Sequence, residues 1–201
     1  MLLSLQSISL DTPFKQTGEC LMLTELILPR PGIAKKSALK DLRLTKGKRS
    51  LARAPFYEKA LLKEKVDGLF GIRVSVTRPL KHPELNQFIK QLLATGIQGG
   101  ADLLSALIIR YSPLDDVLEE AGDLLADKVA STSSMFIASG GIDLDGESLT
   151  PGPVTIPLNL NATLRLSDVP VGPKAREKRK TSAKLYKKGS AVGSLVLDVG
   201  V

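Results

Sequence analysis

Tryptophan is absent, cysteine and histidine occur once each, and Phe and Tyr bring the aromatic share to only 4%. Each scarcity excludes something. One cysteine, Cys20, closes neither an intramolecular disulfide nor a cysteine-based zinc site within one chain, and this fits a reducing compartment such as the cytoplasm. One histidine, His82, stands between Lys81 and Pro83 with no G-x-S-x-G elbow or second histidine near it, so triad chemistry is not expected and an N-cap or loop role is. Few aromatics mean an aliphatic core and no evident platform for stacking bases. No run reaches the roughly 18 uninterrupted apolar residues of a membrane span; the nearest, QLLATGIQGGADLLSALII, is broken by Gln98 and Asp102. The opening MLLSLQSISLDTPF has no basic leader region, and polar Ser4, Gln6, Ser7 and Ser9 interrupt it, so it reads as a strand.

What is present is ordinary for a folded chain. Apolar residues make up 43% and charged residues 24% of 201. A chain of that size can bury roughly 70% of its extended surface without staples. Cys20 itself lies in ECLMLTELILP, a mostly apolar strand ended by Pro29, where an inert buried thiol is the expectation. From Ile33 to Ala54 the chain is basic and its periodicity weak, with ALKDLRL fit for a helical turn or a short strand. FYEKALLKEKV and FGIRVSV flank Asp67-Gly68 and read as an antiparallel hairpin.

At GIRVSVTRPLKHPELNQFIKQLL the hydrophobic period changes from two to between three and four. Helical signals follow: Pro83 at a first helical position, then ADLLSALIIRY, then a Ser112 cap before PLDDVLEEAGDLLADKVA. Strand patterns return in MFIAS, in VTIPLNLNATLRLSDV and in KLYKKGSAVGSLVLDV. Strands on both sides of a helical block, without regular alternation, predict a mainly β single domain over 1–201. The expected architecture is an antiparallel β-sandwich of about seven to nine strands from residues 1–80 and 133–201. Two or three α-helices are inserted mid-chain at 81–131.

Candidate sites are few. Gly96-Ile-Gln-Gly-Gly100 lacks the Gly-Lys-Ser/Thr ending of a phosphate loop and reads as a helix break; Gly189 to Gly193 reads as a hairpin turn. No organic cofactor is indicated. In Gly141-Ile-Asp-Leu-Asp-Gly-Glu147, the carboxylates of Asp143, Asp145 and Glu147 alternate and can offer hard oxygen ligands to Ca²⁺ or Mg²⁺. The spacing departs from an EF-hand, and turn chemistry accounts for Asp-Gly equally well.

Charge is the most distinctive property. Residues 31–100 carry 15 Lys/Arg against 5 Asp/Glu, residues 101–150 carry 2 against 10, and residues 151–201 carry 9 against 3, within a net charge of +7. Lys46, Lys48 and Arg49 form one basic run. Arg176, Lys178, Arg179 and Lys180 form another, with Lys184, Lys187 and Lys188 just after it. If the two loops emerge at one end of the fold, they form a patch for phosphate on an anionic membrane surface or a nucleic acid. The helical block, apolar nearly all round over Leu103, Leu104, Leu107, Ile108 and Ile109, points to a protein partner or self-association. The reading is therefore a non-catalytic binding or adaptor module. Its alternative is a metal-dependent enzyme acting on phosphate esters, with Asp143, Asp145 and Glu147 as ligands and the basic loops gripping substrate.

Overall fold

In the opening LLSLQSISL, Leu3 and Leu5 are two residues apart but Leu5 and Ile8 are three, an interval that a strand period of two cannot absorb. The computed structural model, which describes residues 1–28, 35–79, 136–166 and 184–200, shows how the chain resolves it. Strand β1 (Leu2–Leu10) pairs antiparallel with the last strand, β11 (Ala191–Gly200), and the register slips by a bulge between Leu5 and Ser7. Leu3 and Leu5 before the bulge and Ile8 and Leu10 after it are therefore all buried in the core.

Between these two strands lie β2 (Gly18–Ile27), β3 (Lys35–Leu44), β4 (Lys48–Ser50), a single helical turn α1 (Phe56–Lys59), β5 (Ala60–Lys63) and β6 (Leu69–Thr77). After residues outside the description come β7 (Phe136–Asp145), β8 (Gly152–Leu160), β9 (Leu164–Leu166) and β10 (Lys184–Tyr186). The main sheet has nine strands, ordered β3-β2-β6-β7-β8-β11-β1-β4, with β5 beside β4 on the same edge of β1. All of its pairings are antiparallel. Alternate side chains fill the interior: Cys20, Met22 and Leu26 from β2, Phe70, Ile72, Val74 and Val76 from β6, Ile156 and Leu158 from β8, and Leu195, Leu197 and Val199 from β11. Full burial of such an aliphatic side chain contributes about 1.5–3 kcal/mol, which is how a core with so few aromatics holds together. Thr24 shares the inward face of β2; its buried Oγ1 has no hydrogen-bond partner.

The sheet curls until its two ends meet, and two seams interrupt the cylinder. At the first, β3 approaches β5 through side chains: Lys36 pairs with Glu64, and Lys40 Nζ donates to Ala60 O at 3.4 Å. Burial lowers the Lys40 pKa, against a smaller raising effect of Glu58. At the second, β7 and β8 pair only through Ala138–Leu160 and Ser139–Asn159. Beyond that point Pro157, whose carbonyl approaches Gly140, has no N–H with which to continue the ladder, and Pro153 repeats the gap. The sheet turns its corner here. A Cβ on Gly140 would stand 2.1 Å from Pro157 O, so only glycine lets the two backbones pass this closely.

Several expectations change accordingly. The antiparallel sheet is as expected, but it is one continuous, nearly closed, barrel-like sheet and not two separate layers. Alternating strands look alike in either architecture, and the difference lies in the β7–β8 link. The predicted helices at 81–131, with His82 and the Gly96–Gly100 segment, lie outside the described residues. Among the described residues α1 is the sole helix, and none is long and apolar enough to cross a membrane.

FYEKALLKEKV is not a hairpin arm. Pro55 is followed by the α1 turn, β5 pairs with β1, and β6 pairs with β2 and β7. Asp67-Gly68 bends the chain at a positive φ of 70° for Gly68, but it does so on a path that crosses from one edge of the barrel to another strand. ALKDLRL belongs to the ten-residue β3. The Leu-rich run after Pro153 breaks into β8 and β9, and β10 pairs with β9, not with β11. Gly189 sits in a turn at φ 83°, whereas Ala191 to Gly193 already belong to β11.

Candidate functional site

Antiparallel neighbours alternate in direction, so the register shows which loops share an end of the barrel. Leu10 lies opposite Gly193, Ser9 opposite Lys48, Gly18 opposite Leu44, Met22 opposite Val76, Thr77 opposite Phe136, Ala138 opposite Leu160, and Ala191 opposite Asn159. The β3–β4 turn and the β9–β10 ribbon therefore emerge at the same end. The turn before β8, which carries Asp145 and Glu147, lies at the other, about 30 Å away along strands of nine or ten residues.

The β3–β4 connection is a two-residue hairpin loop. Thr45 and Lys48 exchange backbone hydrogen bonds at 2.9 and 3.0 Å, and the two central residues both take positive φ, Lys46 at 50° and Gly47 at 76°. That backbone is the hairpin turn that requires a left-handed conformation twice, which explains a glycine in TKGK. The turn is clamped on three sides: Gly47 O accepts from Leu10 N, Gly47 N donates to Gln16 O, and Lys46 N donates to Thr17 Oγ1. A Cβ on Gly47 would stand 2.4 Å from Leu10 O and 2.9 Å from the Cα of Lys15. Lys15, exposed and set against this turn, is a cation that the sequence reading overlooked because it is isolated in the chain.

A chain of backbone hydrogen bonds links this turn to the second basic element. Asp11 N donates to Val192 O at 2.7 Å, Leu160 N to Ser190 O at 2.9 Å, and Ser190 N to Lys187 O at 3.1 Å. Lys188 N donates to Thr163 Oγ1 at 3.0 Å. Lys184 lies over the Tyr186 ring, its Nζ 5.3 Å from the centroid, and Tyr186 in turn packs on the core. Lys15, Lys46, Lys48, Arg49, Lys184, Lys187 and Lys188 are all exposed. The ion pairs among the described residues, Lys35–Glu25, Lys36–Glu64, Lys65–Asp67 and Arg73–Asp143, all lie elsewhere. Arg176, Lys178, Arg179 and Lys180 fall outside the described residues.

Two of the three carboxylates proposed as metal ligands, those of Asp143 and Asp145, have protein partners. Asp143 Oδ1 is 2.7 Å from Arg73 Nη2, and Asp145 Oδ1 accepts from the backbone N–H of Glu147 at 3.1 Å, a local turn bond. Among the described residues no group of three or more His, Cys, Asp or Glu side chains is placed to hold a metal ion. Asp145 and Glu147 stand at the end of the barrel opposite the described basic residues Lys46, Lys48, Lys184, Lys187 and Lys188. Cys20 is buried, and burial first, then the charge of Asp41, push its thiol pKa up to about 12, which removes it as a nucleophile.

The aromatic pair Phe56-Tyr57 also escaped the sequence reading. Read as part of a strand it would be half-buried; on the α1 turn Phe56 is 55% and Tyr57 76% exposed. The available signal was Pro55, which favours the start of a helical turn over a strand interior. No protein-family model, curated protein or solved structure matches the chain.

Proposed function

We propose that this chain is a non-catalytic binding module whose basic barrel end docks on a phosphate-bearing polyanion. The observation that carries the reading is convergence: the clamped β3–β4 turn and the β9–β10 ribbon, separated by well over a hundred residues in sequence, present Lys46, Lys48, Arg49, Lys184, Lys187 and Lys188 at one end. Lysines on rigid hairpins suit phosphate contact because each is a compact point charge held in a fixed place, and counterion release supplies the free energy.

The test is a salt series of binding to anionic phospholipid vesicles and to oligonucleotides, for the native chain and for Lys48→Glu/Arg49→Glu and Lys187→Glu/Lys188→Glu. With about four phosphate contacts, affinity is expected to fall roughly 50- to 150-fold between about 50 and 200 mM salt. Both variants are expected to bind more weakly, with a shallower salt dependence. Absence of binding to either ligand at low salt, or charge reversal without effect, overturns the proposal.

A further inference from the structure

The β4 edge carries something a solvated basic surface does not need. Strands β4 and β5 pair with the same edge of β1, β4 opposite Ser7 to Ser9 and β5 opposite Leu2 to Ser4, on either side of the β1 bulge. The residues between them leave the edge. Leu51 N is tied to Gln6 O at 2.7 Å, Ala54 N to Leu51 O at 2.9 Å, and the chain then makes the α1 turn. Ile8 and Ser4, opposite Arg49 and Ala60, are about 13 Å apart along β1. The segment that leaves and rejoins the edge across that short span carries exposed Arg53 and the exposed rings of Phe56 and Tyr57, and it follows directly on exposed Lys48 and Arg49.

We infer that this edge binds single-stranded nucleic acid, with Lys46, Lys48, Arg49 and Arg53 following the phosphates and Phe56 and Tyr57 stacking on unpaired bases. The inference rests on the polyanion reading of the basic barrel end, extends it down the β1 edge and names the polyanion. Exposed cations on β4, followed within a few residues by exposed rings on the α1 turn, suit a chain of alternating phosphates and flat bases. A bilayer is planar, and would be met best by apolar side chains grouped on one protruding tip, whereas the exposed Leu185 stands apart on β10. Duplex would offer the phosphates but hide the base faces, so the rings select for single strands.

The absence of tryptophan makes the test direct, since Tyr57→Trp installs a unique fluorophore. Titration of this variant with a short oligothymidylate is expected to quench its emission, with affinity equal to or better than that of the native chain. Phe56→Ala/Tyr57→Ala, both at exposed positions and checked for an unchanged melting temperature, is expected to lose about tenfold or more in oligothymidylate affinity while keeping its salt dependence. Oligothymidylate binding that survives loss of both rings overturns the stacking role and leaves the polyanion reading standing. Binding to phosphatidylserine vesicles but not to oligothymidylate, with a blue shift in the emission of the Tyr57→Trp variant, overturns the nucleic-acid inference in favour of a membrane. Binding to neither ligand removes both readings.

Discussion

Arg73 on β6 and Asp143 on β7 form a diagonal ion pair on the outer face of the barrel, and two glycines make room for it. Arg73 lies opposite Gly141 and Asp143 opposite Gly71. The Cδ–Nε stem of Arg73 passes over Gly141, its guanidinium reaches Gly71, and its Nη1 donates to the carbonyls of Ile72 and Ile142, each at 3.1 Å. Space matters more here than charge. Asp143→Asn is expected to cost under about 1 kcal/mol, since the pair is exposed. Gly141→Val places a Cβ 2.4 Å from Arg73 Cδ and 2.9 Å from Ile72 O, and is expected to cost more, about 1–3 kcal/mol. Denaturant melts of the two variants check the order. Because the same pair engages Asp143, millimolar Ca²⁺ at fixed ionic strength is expected to leave the native melting temperature unchanged. A rise abolished by Asp145→Asn would show that the carboxylates gather round an ion after all.

Thr24 offers a gain in stability. Its hydroxyl is buried among Met22, Leu26 and the other inward side chains without a partner, so it is desolvated for nothing in return. Thr24→Val has nearly the same shape and removes the unsatisfied group. It is expected to stabilise the fold by about 1 kcal/mol, read as a higher denaturant midpoint at unchanged slope.

Cys20 makes stability depend on alkaline pH. In the unfolded chain its thiol ionises near 9, whereas in the fold burial keeps it protonated up to about 12. Between these values the unfolded state binds fewer protons, so stability falls as pH rises; below about 9 the contribution is complete and flat. The native chain is expected to lose stability relative to Cys20→Ala between about pH 9 and pH 11, by up to about 1.4 kcal/mol per pH unit. Equal pH slopes for the two proteins would refute this. A thiol reagent is expected to modify native Cys20 only on unfolding.

The strands were legible in the sequence wherever burial is one-sided. Ile72, Val74 and Val76 against Arg73 and Ser75, and Leu158 and Leu160 in β8, declare their inward face by alternation alone. Closure was not legible, because it depends on single features with no period: the phase slip between Leu5 and Ile8, and the missing Cβ of Gly140 beside Pro157. The hairpin expectation at Asp67-Gly68 failed for a related reason. A left-handed glycine marks a bend, but which strand receives the chain afterwards is decided by the competition of β1, β2 and β7 for partners. For the site, the basic runs were visible but their convergence was not, since Lys15 has no charged neighbour in sequence and meets the β3–β4 turn only through the clamp on Gly47.

The pairing of β1 with β11 sets how long the first strand waits for its neighbour during synthesis. Leu10 finds its neighbour Gly193 only after the long stretch of chain between them has been made, roughly ten to forty seconds later at usual elongation rates. Until then β4 and β5 can shield one edge of the first strand while the other stays open, so the nascent chain must carry an unmated apolar strand throughout that interval. Assembly of the barrel is therefore expected to be slow, and the interval of greatest danger from aggregation comes before the ten residues of β11 arrive.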